Sequence, residues 1–178
     1  GTDDDGYAQL GNGGSRTTGD HSGDITAYAS GAITFDAADA QTEAYVQLGH
    51  GGFIATANTG HRGDINVGAG FGGQAGSGIE FSAGNENDNY AMLGHGGRRS
   101  RGDHSGDITV DAFDTISFTG SNDFRTFTQL GHGGWDSDSN DAGQPNPSPS
   151  LTPTIGNSGN IRVNTNVVGP GATLAQNP

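Results

Sequence analysis

Six histidines and a recurring set of aspartates are the residues of this chain with chemistry to offer. His50, His95 and His132 each stand between glycines in the phrase "LGHGG", and Asn12 holds the same place in "LGNGG". If these phrases lie one above another at the ordinary strand spacing of about 4.8 Å, three imidazoles form a column. A neutral imidazole carries one donor and one acceptor, so such a column can pass hydrogen bonds along itself, while protonation of adjacent rings is opposed by like-charge repulsion. The rings then either satisfy backbone groups at a sharp glycine corner or ligate a metal. The first use is favoured, because Asn12 interrupts the ligand set and no carboxylate shares the phrase. His21 and His104, in "GDHSGD", are expected at loop tips.

The aspartates recur as regularly. Asp24, Asp64 and Asp107 follow the glycine of "GDI", Asn160 takes that place in a last copy, and Asp20 and Asp103 lie four residues upstream of two of them. Calcium prefers several such oxygens, which makes Asp20, Asp24, Asp64, Asp103 and Asp107 the candidate ligands and calcium the one candidate cofactor. The spacing does not match the nonapeptide of calcium-loaded β-rolls. The competing and favoured reading is that each Asp accepts backbone N–H groups in a turn. "RGD" occurs at Arg62–Asp64 and at Arg101–Asp103, at two different places in the repeat, and is read as coincidence. The cationic stretch "GGRRSRGD" offers Arg98, Arg99 and Arg101 to a carboxylated or sulfated glycan, or to the acidic loops nearby. A polysaccharide lyase needs a base beside a charge-stabilising cation. The chain has no Lys, so only those arginines beside Asp103 would serve, and no enzyme is expected.

What positions these residues must be unusual, since composition argues against a fold. Leu, Ile, Val and Phe supply 29 of 178 residues and the formal net charge is −13, a pairing typical of disorder. Glycine, at 34 residues, adds backbone entropy to overcome. Only a regular arrangement of so few apolar groups makes a core. The acidic excess repels phosphate backbones and excludes nucleic acid as a partner. No run of 18 or more apolar residues is present, so no membrane insertion is expected. The opening "GTDDDG" suggests a mature or excised segment.

The regularity is an internal repeat. "YAQLGNGG", "YVQLGHGG", "YAMLGHGG" and "FTQLGHGG" place Leu10, Leu48, Leu93 and Leu130 at spacings of 38, 45 and 37 residues. A second phrase follows ("GDITA", "GDINV", "GDITV", "GNIRV"), with Ile25, Ile65, Ile108 and Ile161, and then a third ("AITF", "GIEF", "TISF"), with Phe35, Phe81 and Phe118. Each alternates with period two, the signature of a strand with one face inward. Tyr7, Tyr45, Tyr90 and Phe127 are placed on the outer face with Gln9, Gln47, Met92 and Gln129.

Three short strands per unit predict an all-β chain, a right-handed parallel β-helix of about four coils in which the Leu, Ile and Phe columns form the core. Residues 1–135 are read as solenoid repeats, 136–154 as a Pro/Ser/Asn-rich loop insertion, 155–168 as the last coil and 169–178 as a tail or connector. A β-propeller would need a fourth strand per blade, and an antiparallel sandwich of phrases two and three is the other alternative.

The phrases "LGHGG", "GDHSGDI", "GDITV" and the terse "AITF" strands resemble the repeat shafts of filamentous-haemagglutinin-like exoproteins, large β-helical adhesins of bacterial surfaces. The resemblance spans Tyr7 to Val168, although these units are about twice as long as that family's coils. It implies an extracellular or cell-surface, non-enzymatic, adhesive filament, of the kind that serves in biofilms. The expected partner is a second copy: an open β-helix end presents unpaired backbone that invites another strand, giving a homopolymer by end-to-end stacking. A calcium-dependent or carbohydrate-binding module taking a surface glycan is the alternative, and a β-helix polysaccharide lyase the remoter one.

Overall fold

Alternating side chains make strands, and here every strand finds its partner one repeat away rather than across a hairpin. The computed structural model describes residues 6–37, 42–71, 73, 76–137 and 156–165. Along them run β1 (Tyr7–Leu10), β2 (His21–Ser22), β3 (Ile25–Ala29), β4 (Ile33–Asp36), β5 (Tyr45–Leu48), β6 (His61–Arg62), β7 (Ile65–Ala69) and β8 (Ile79–Ser82). They are followed by β9 (Tyr90–Leu93), β10 (His104–Ser105), β11 (Ile108–Ala112), β12 (Ile116–Thr119), β13 (Phe127–Leu130) and β14 (Ile161–Thr165). Four parallel sheets result, ordered β1-β5-β9-β13, β2-β6-β10, β3-β7-β11-β14 and β4-β8-β12.

The chain is a parallel β-helix, with each repeat making one coil. Pairing is in register, so Leu48 lies between Leu10 and Leu93, Ile65 between Ile25 and Ile108, and Phe81 between Phe35 and Phe118. Neither a propeller nor an antiparallel sandwich is compatible with pairing that is parallel throughout.

Each of the first three coils has four strands, not three. The additional one is a two-residue strand at His21–Ser22, His61–Arg62 and His104–Ser105, too short for alternation to reveal it. The expected parity of phrase one also fails. Tyr45 and Tyr90 are buried, and with Phe53 and Met92 they form a second apolar cluster on the far side of the strand. Both faces of β5 and β9 are interior because the long loop following each "LGHGG" folds back over the tyrosines. Rings in the column Tyr7, Tyr45, Tyr90 and Phe127 stack with centroids 4.9, 4.7 and 4.9 Å apart.

The main core contains Ile25, Phe35, Leu48, Ile65, Phe81, Leu93 and Ile108, with Leu130 packed against it half-buried. Three of the expected core residues are not buried: Leu10 is 53% exposed, Ile161 49% and Phe118 44%. Each belongs to the first or last strand of its sheet, so one of its two neighbours is missing among the described residues. Most of the predicted insertion, residues 138–154, the predicted tail, and residues 155 and 166–168 of the predicted last coil lie outside the described residues.

Glycine sets how closely the coils stack. A Cβ on Gly49 or Gly94 would lie 1.9 and 2.0 Å from the carbonyl oxygen of the matching glycine in the next coil, at φ values of 151° and 150°. No other residue fits that approach.

Candidate functional site

The chemistry-bearing residues fall into columns, because in-register strands put like letters over like. His50, His95 and His132 stack with centroids 4.9 and 5.0 Å apart and nearly parallel planes. Their hydrogen bonds fix the tautomer. The backbone N–H of Asn12 donates to Nδ1 of His50 at 2.9 Å, that of His50 to Nδ1 of His95 at 2.9 Å, and that of His95 to Nδ1 of His132 at 3.1 Å. An accepting Nδ1 leaves the proton on Nε2, which faces the carbonyl oxygens of Gly23, Gly63 and Gly106 at 2.8 Å in all three rings. Each ring therefore clamps two backbone groups of the preceding coil, and both its nitrogens are engaged. Burial pushes the His95 imidazole down to about 3, against the Gly63 carbonyl, which acts to raise it, and with help from neighbouring His132, His50 and His61. Burial lowers His132 as well, opposed by the Gly106 carbonyl and Asp107.

A second column was not foreseen. His21 and His104 are not loop-tip residues: they lie in β2 and β10, and stack on His61 with centroids 5.0 and 5.3 Å apart. The spacings that reveal this column, 40 and 43 residues, equal those of Ile25, Ile65 and Ile108. Nδ1 of His21 and Nδ1 of His61 lie 3.1 Å apart, so one donates and the other accepts. His61 is fully buried, with Nε2 lacking a hydrogen-bond partner. Burial, then the charges of His104, His21 and His50, push it down to about 3. Burial holds His104 at about 4, despite a bond to the Ser100 backbone.

The aspartates also form a column, in which one oxygen of each accepts a backbone N–H. Oδ1 of Asp24 accepts the Asp64 N–H at 2.9 Å, Oδ1 of Asp64 the Asp107 N–H at 2.9 Å, and Oδ1 of Asp107 the Asn160 N–H at 2.8 Å. Asp20 takes N–H bonds from Asn58, Thr59 and Gly60 and the Thr59 hydroxyl. Burial acts to raise its carboxyl, but these four donors outweigh it and hold it at about 2. Asp103 accepts the Gly156 N–H at 3.0 Å. Asp20 and Asp24 thus link coil 1 to coil 2, while Asp103 and Asp107 bind residues of the last coil. Among the described residues, no group of three or more His, Asp or Glu side chains is placed to hold a metal ion. The two "RGD" aspartates, Asp64 and Asp103, are among these backbone acceptors.

The arginines went furthest from expectation. Arg98 is fully buried rather than presented to a glycan. It pairs with Glu43 at 3.1 Å and with Asp88 at 3.2 Å, and its guanidinium sits 4.8 Å from the Phe53 ring centre and 5.4 Å from that of Trp135. Phe53, Arg98 and Trp135 occupy one letter of three successive coils, so the cation is layered between two aromatic rings. Arg125 closes the cluster with both carboxylate oxygens of Asp88. The letter two residues before Tyr45, Tyr90 and Phe127 is left-handed, at Glu43, Asp88 and Arg125 (φ 59°, 68° and 61°). Sequence periodicity hides this letter, since two carboxylates and a guanidinium share it. Arg99 remains exposed, paired with Asp136 at 3.3 Å.

The two ends of the stack complete the candidate sites. At the first coil a hollow of ≈ 640 Å³ is lined by Leu10, Ala27 and Phe35, which face inward from β1, β3 and β4, and by Tyr28. At the other end Ile161 and Val163 of β14 are exposed. No helix of the described residues is long and apolar enough to cross a membrane. No family model, curated protein or solved structure matches the chain.

Proposed function

We propose that this chain is an extracellular structural repeat protein, a subunit or segment of a fibre or adhesin shaft that self-associates end to end. One observation carries the reading: Leu10 at one end and Phe118, Ile161 and Val163 at the other stand exposed, while their equivalents inside the stack are buried. Leu93 is 0% exposed and Leu10, its counterpart in coil 1, is more than half exposed. Among the described residues, the first coil presents the free edges of β1, β3 and β4, and β13, β14 and β12 are the free edges at the other end. All run parallel, so the two ends match as template and continuation, which is how open edges recruit another chain. The placement at a bacterial surface, and the likeness to filamentous-haemagglutinin-type shafts, rest on the repeated phrases. Among the described residues the stacked histidines and aspartates are engaged with the backbone of neighbouring coils, which supports a structural over an enzymatic role.

Electron microscopy and sedimentation of the purified protein test the proposal. Filaments are expected, growing with concentration, and Leu10→Arg abolishes them while leaving the melting temperature of the monomer nearly unchanged, because Leu10 has little packing to lose. Monodisperse particles of one chain at every concentration overturn it. The glycan-binding alternative draws on the hollow beside Tyr28. A sugar bound there would compete with the next copy, so uronic-acid oligomers that bind the wild type but not Leu10→Arg, without filaments, would favour it.

A further inference from the structure

The polar columns end in a pattern that specifies how one copy sits on the next. Inside the chain, each coil's backbone N–H at the "LGHGG" centre donates to Nδ1 of the histidine in the following coil, and each coil's Asp Oδ1 accepts an N–H from the following coil. At the last coil the series stops, and among the described residues the N–H of His132 and Oδ1 of Asn160 meet no such partner, while Asn160 Nδ2 donates to Asp107 at 3.1 Å. At the first coil stand their complements, the Asn12 side chain and the Asp24 N–H. The Oδ1 of asparagine is as many bonds from the backbone as Nδ1 of histidine and accepts in the same way.

Resting on the end-to-end reading above, we propose that a second copy docks in a single register, coil 1 on coil 4. Asn12 Oδ1 receives the His132 N–H of the copy before it, and Asn160 Oδ1 receives the Asp24 N–H of the copy after it. The apolar columns agree with this register, since it lays Tyr7 on Phe127, Leu10 on Leu130 and Ile25 on Ile161. A slip of one residue would place every inward side chain on the wrong face. The histidine columns carry the same mark. The first begins with Asn12, and the second has Asn157 at its letter in coil 4, one residue before the Ser158 that bridges Ser105. Each junction therefore joins an asparagine to a histidine and never two imidazoles, so no proton need be shared between copies.

The chain has no cysteine, which makes cross-linking a clean test. Thr109 and Arg162 are register partners on the outward side of their sheet, as are Thr26 and Asn66. In the proposed junction Thr26 of one copy lies beside Arg162 of another, about 4.8 Å away, within reach of a disulfide. Oxidised filaments of Thr26→Cys/Arg162→Cys should give a ladder beyond dimers on a denaturing gel, reversed by reductant, and Thr34→Cys/Arg162→Cys, whose cysteines sit on different sheets, should not. Filaments in which the second pair cross-links and the first does not overturn the register and leave end-to-end assembly standing. No filaments and no ladder overturn both. Asn12→Leu, which removes the acceptor from an exposed position, should raise the concentration needed for filaments roughly tenfold, the equivalent of one hydrogen bond, and Asn12→His should restore it at neutral pH. An unchanged threshold in Asn12→Leu overturns the pairing assigned to Asn12.

Discussion

Mild acid should unfold this protein well above the pH at which its carboxylates titrate. The three most buried imidazoles supply the magnitude: His61 and His95, held at about 3, and His104, held at about 4. An unfolded chain titrates each near 6.5. Because the folded values are depressed, the unfolded state binds more protons at every pH between them, and stability falls as pH falls. The contribution is fully present above 6.5 and is lost progressively down to the folded values. At pH 4.5 each ring costs between about 2 and 3 kcal/mol, and the three together about 8 kcal/mol, comparable to the whole stability of an ordinary domain. Geometry gives the same direction without reference to any pKa. A protonated Nδ1 in the first column cannot accept the N–H of the coil beneath, so the donor is left unpaired. The carboxylates facing the columns, Asp20 beside His21 and His61 and Asp107 beside His132, act the other way, and hydrogen bonds hold both carboxyls below their ordinary value.

Urea melts at intervals of half a pH unit from 7.5 to 4 measure this. Stability should be level above pH 7, then decline with a slope approaching about 4 kcal/mol per pH unit, the value for three rings. His95→Asn, which borrows the residue the chain itself uses at Asn12, should flatten the slope by about a third. A wild-type stability that stays level or rises between pH 6.5 and 4.5 refutes the reasoning, and so does an unchanged slope in the variant.

Three further outcomes follow from the same stacking. Gly94→Ala puts a methyl 2.0 Å from the Gly131 carbonyl oxygen, and backbone on both sides cannot yield, so a loss of at least about 3 kcal/mol or failure to fold is expected in denaturant melts. Arg98→Lys keeps the charge but cannot serve two carboxylates while lying flat between Phe53 and Trp135; a loss of about 2 to 4 kcal/mol, approaching that of Arg98→Met, is expected from the same melts. Excess chelator should leave the melting temperature within a degree of its value in millimolar calcium, because the Asp24, Asp64 and Asp107 oxygens already accept backbone N–H groups; a rise of several degrees with calcium would restore those carboxylates as ligands.

The sequence made the coil legible where like letters recur and left it illegible where they do not. Leu48 over Leu93 and Ile65 over Ile108 follow from period-two alternation at constant order, and the parallel pairing follows from them. The second histidine column used the same spacing but sat in two-residue strands, where no alternation exists to be seen. The buried arginine cluster had no sequence signature at all. Its cohesion comes from unlike residues meeting across coils, Phe53 on Arg98 on Trp135, and Glu43 and Asp88 against Arg98 and Arg125. The parity of the tyrosines failed for a related reason: an exposed outer face is the default for a strand, and only the return of the following loop makes it a second interior.

That second interior explains how a chain with so few large aliphatic side chains holds together. An inner coil contributes only a handful of large apolar side chains to the main core, in the second coil Leu48, Ile65, Val67, Ile79 and Phe81, worth roughly 1.5 to 3 kcal/mol each when buried, which is small against the ordering of some 40 residues. The polar columns make up what the apolar ones lack, since histidine, aspartate and glutamine bond to the backbone of a neighbouring coil; Gln47, for example, donates to the Gly94 carbonyl at 3.1 Å. Such bonds are short-ranged and local to one coil pair, so every coil depends on having a neighbour on each side. A single isolated unit would lose both its apolar contacts and the partners of its buried polar groups, and the end coils of a lone molecule already bear half of that deficit. In the end-to-end assembly proposed above, another copy removes it, so the drive toward that assembly comes from the polar columns as much as from the exposed leucine and isoleucine. High salt, which screens the −13 charge and leaves these hydrogen bonds intact, is then expected to strengthen the proposed assembly rather than weaken it.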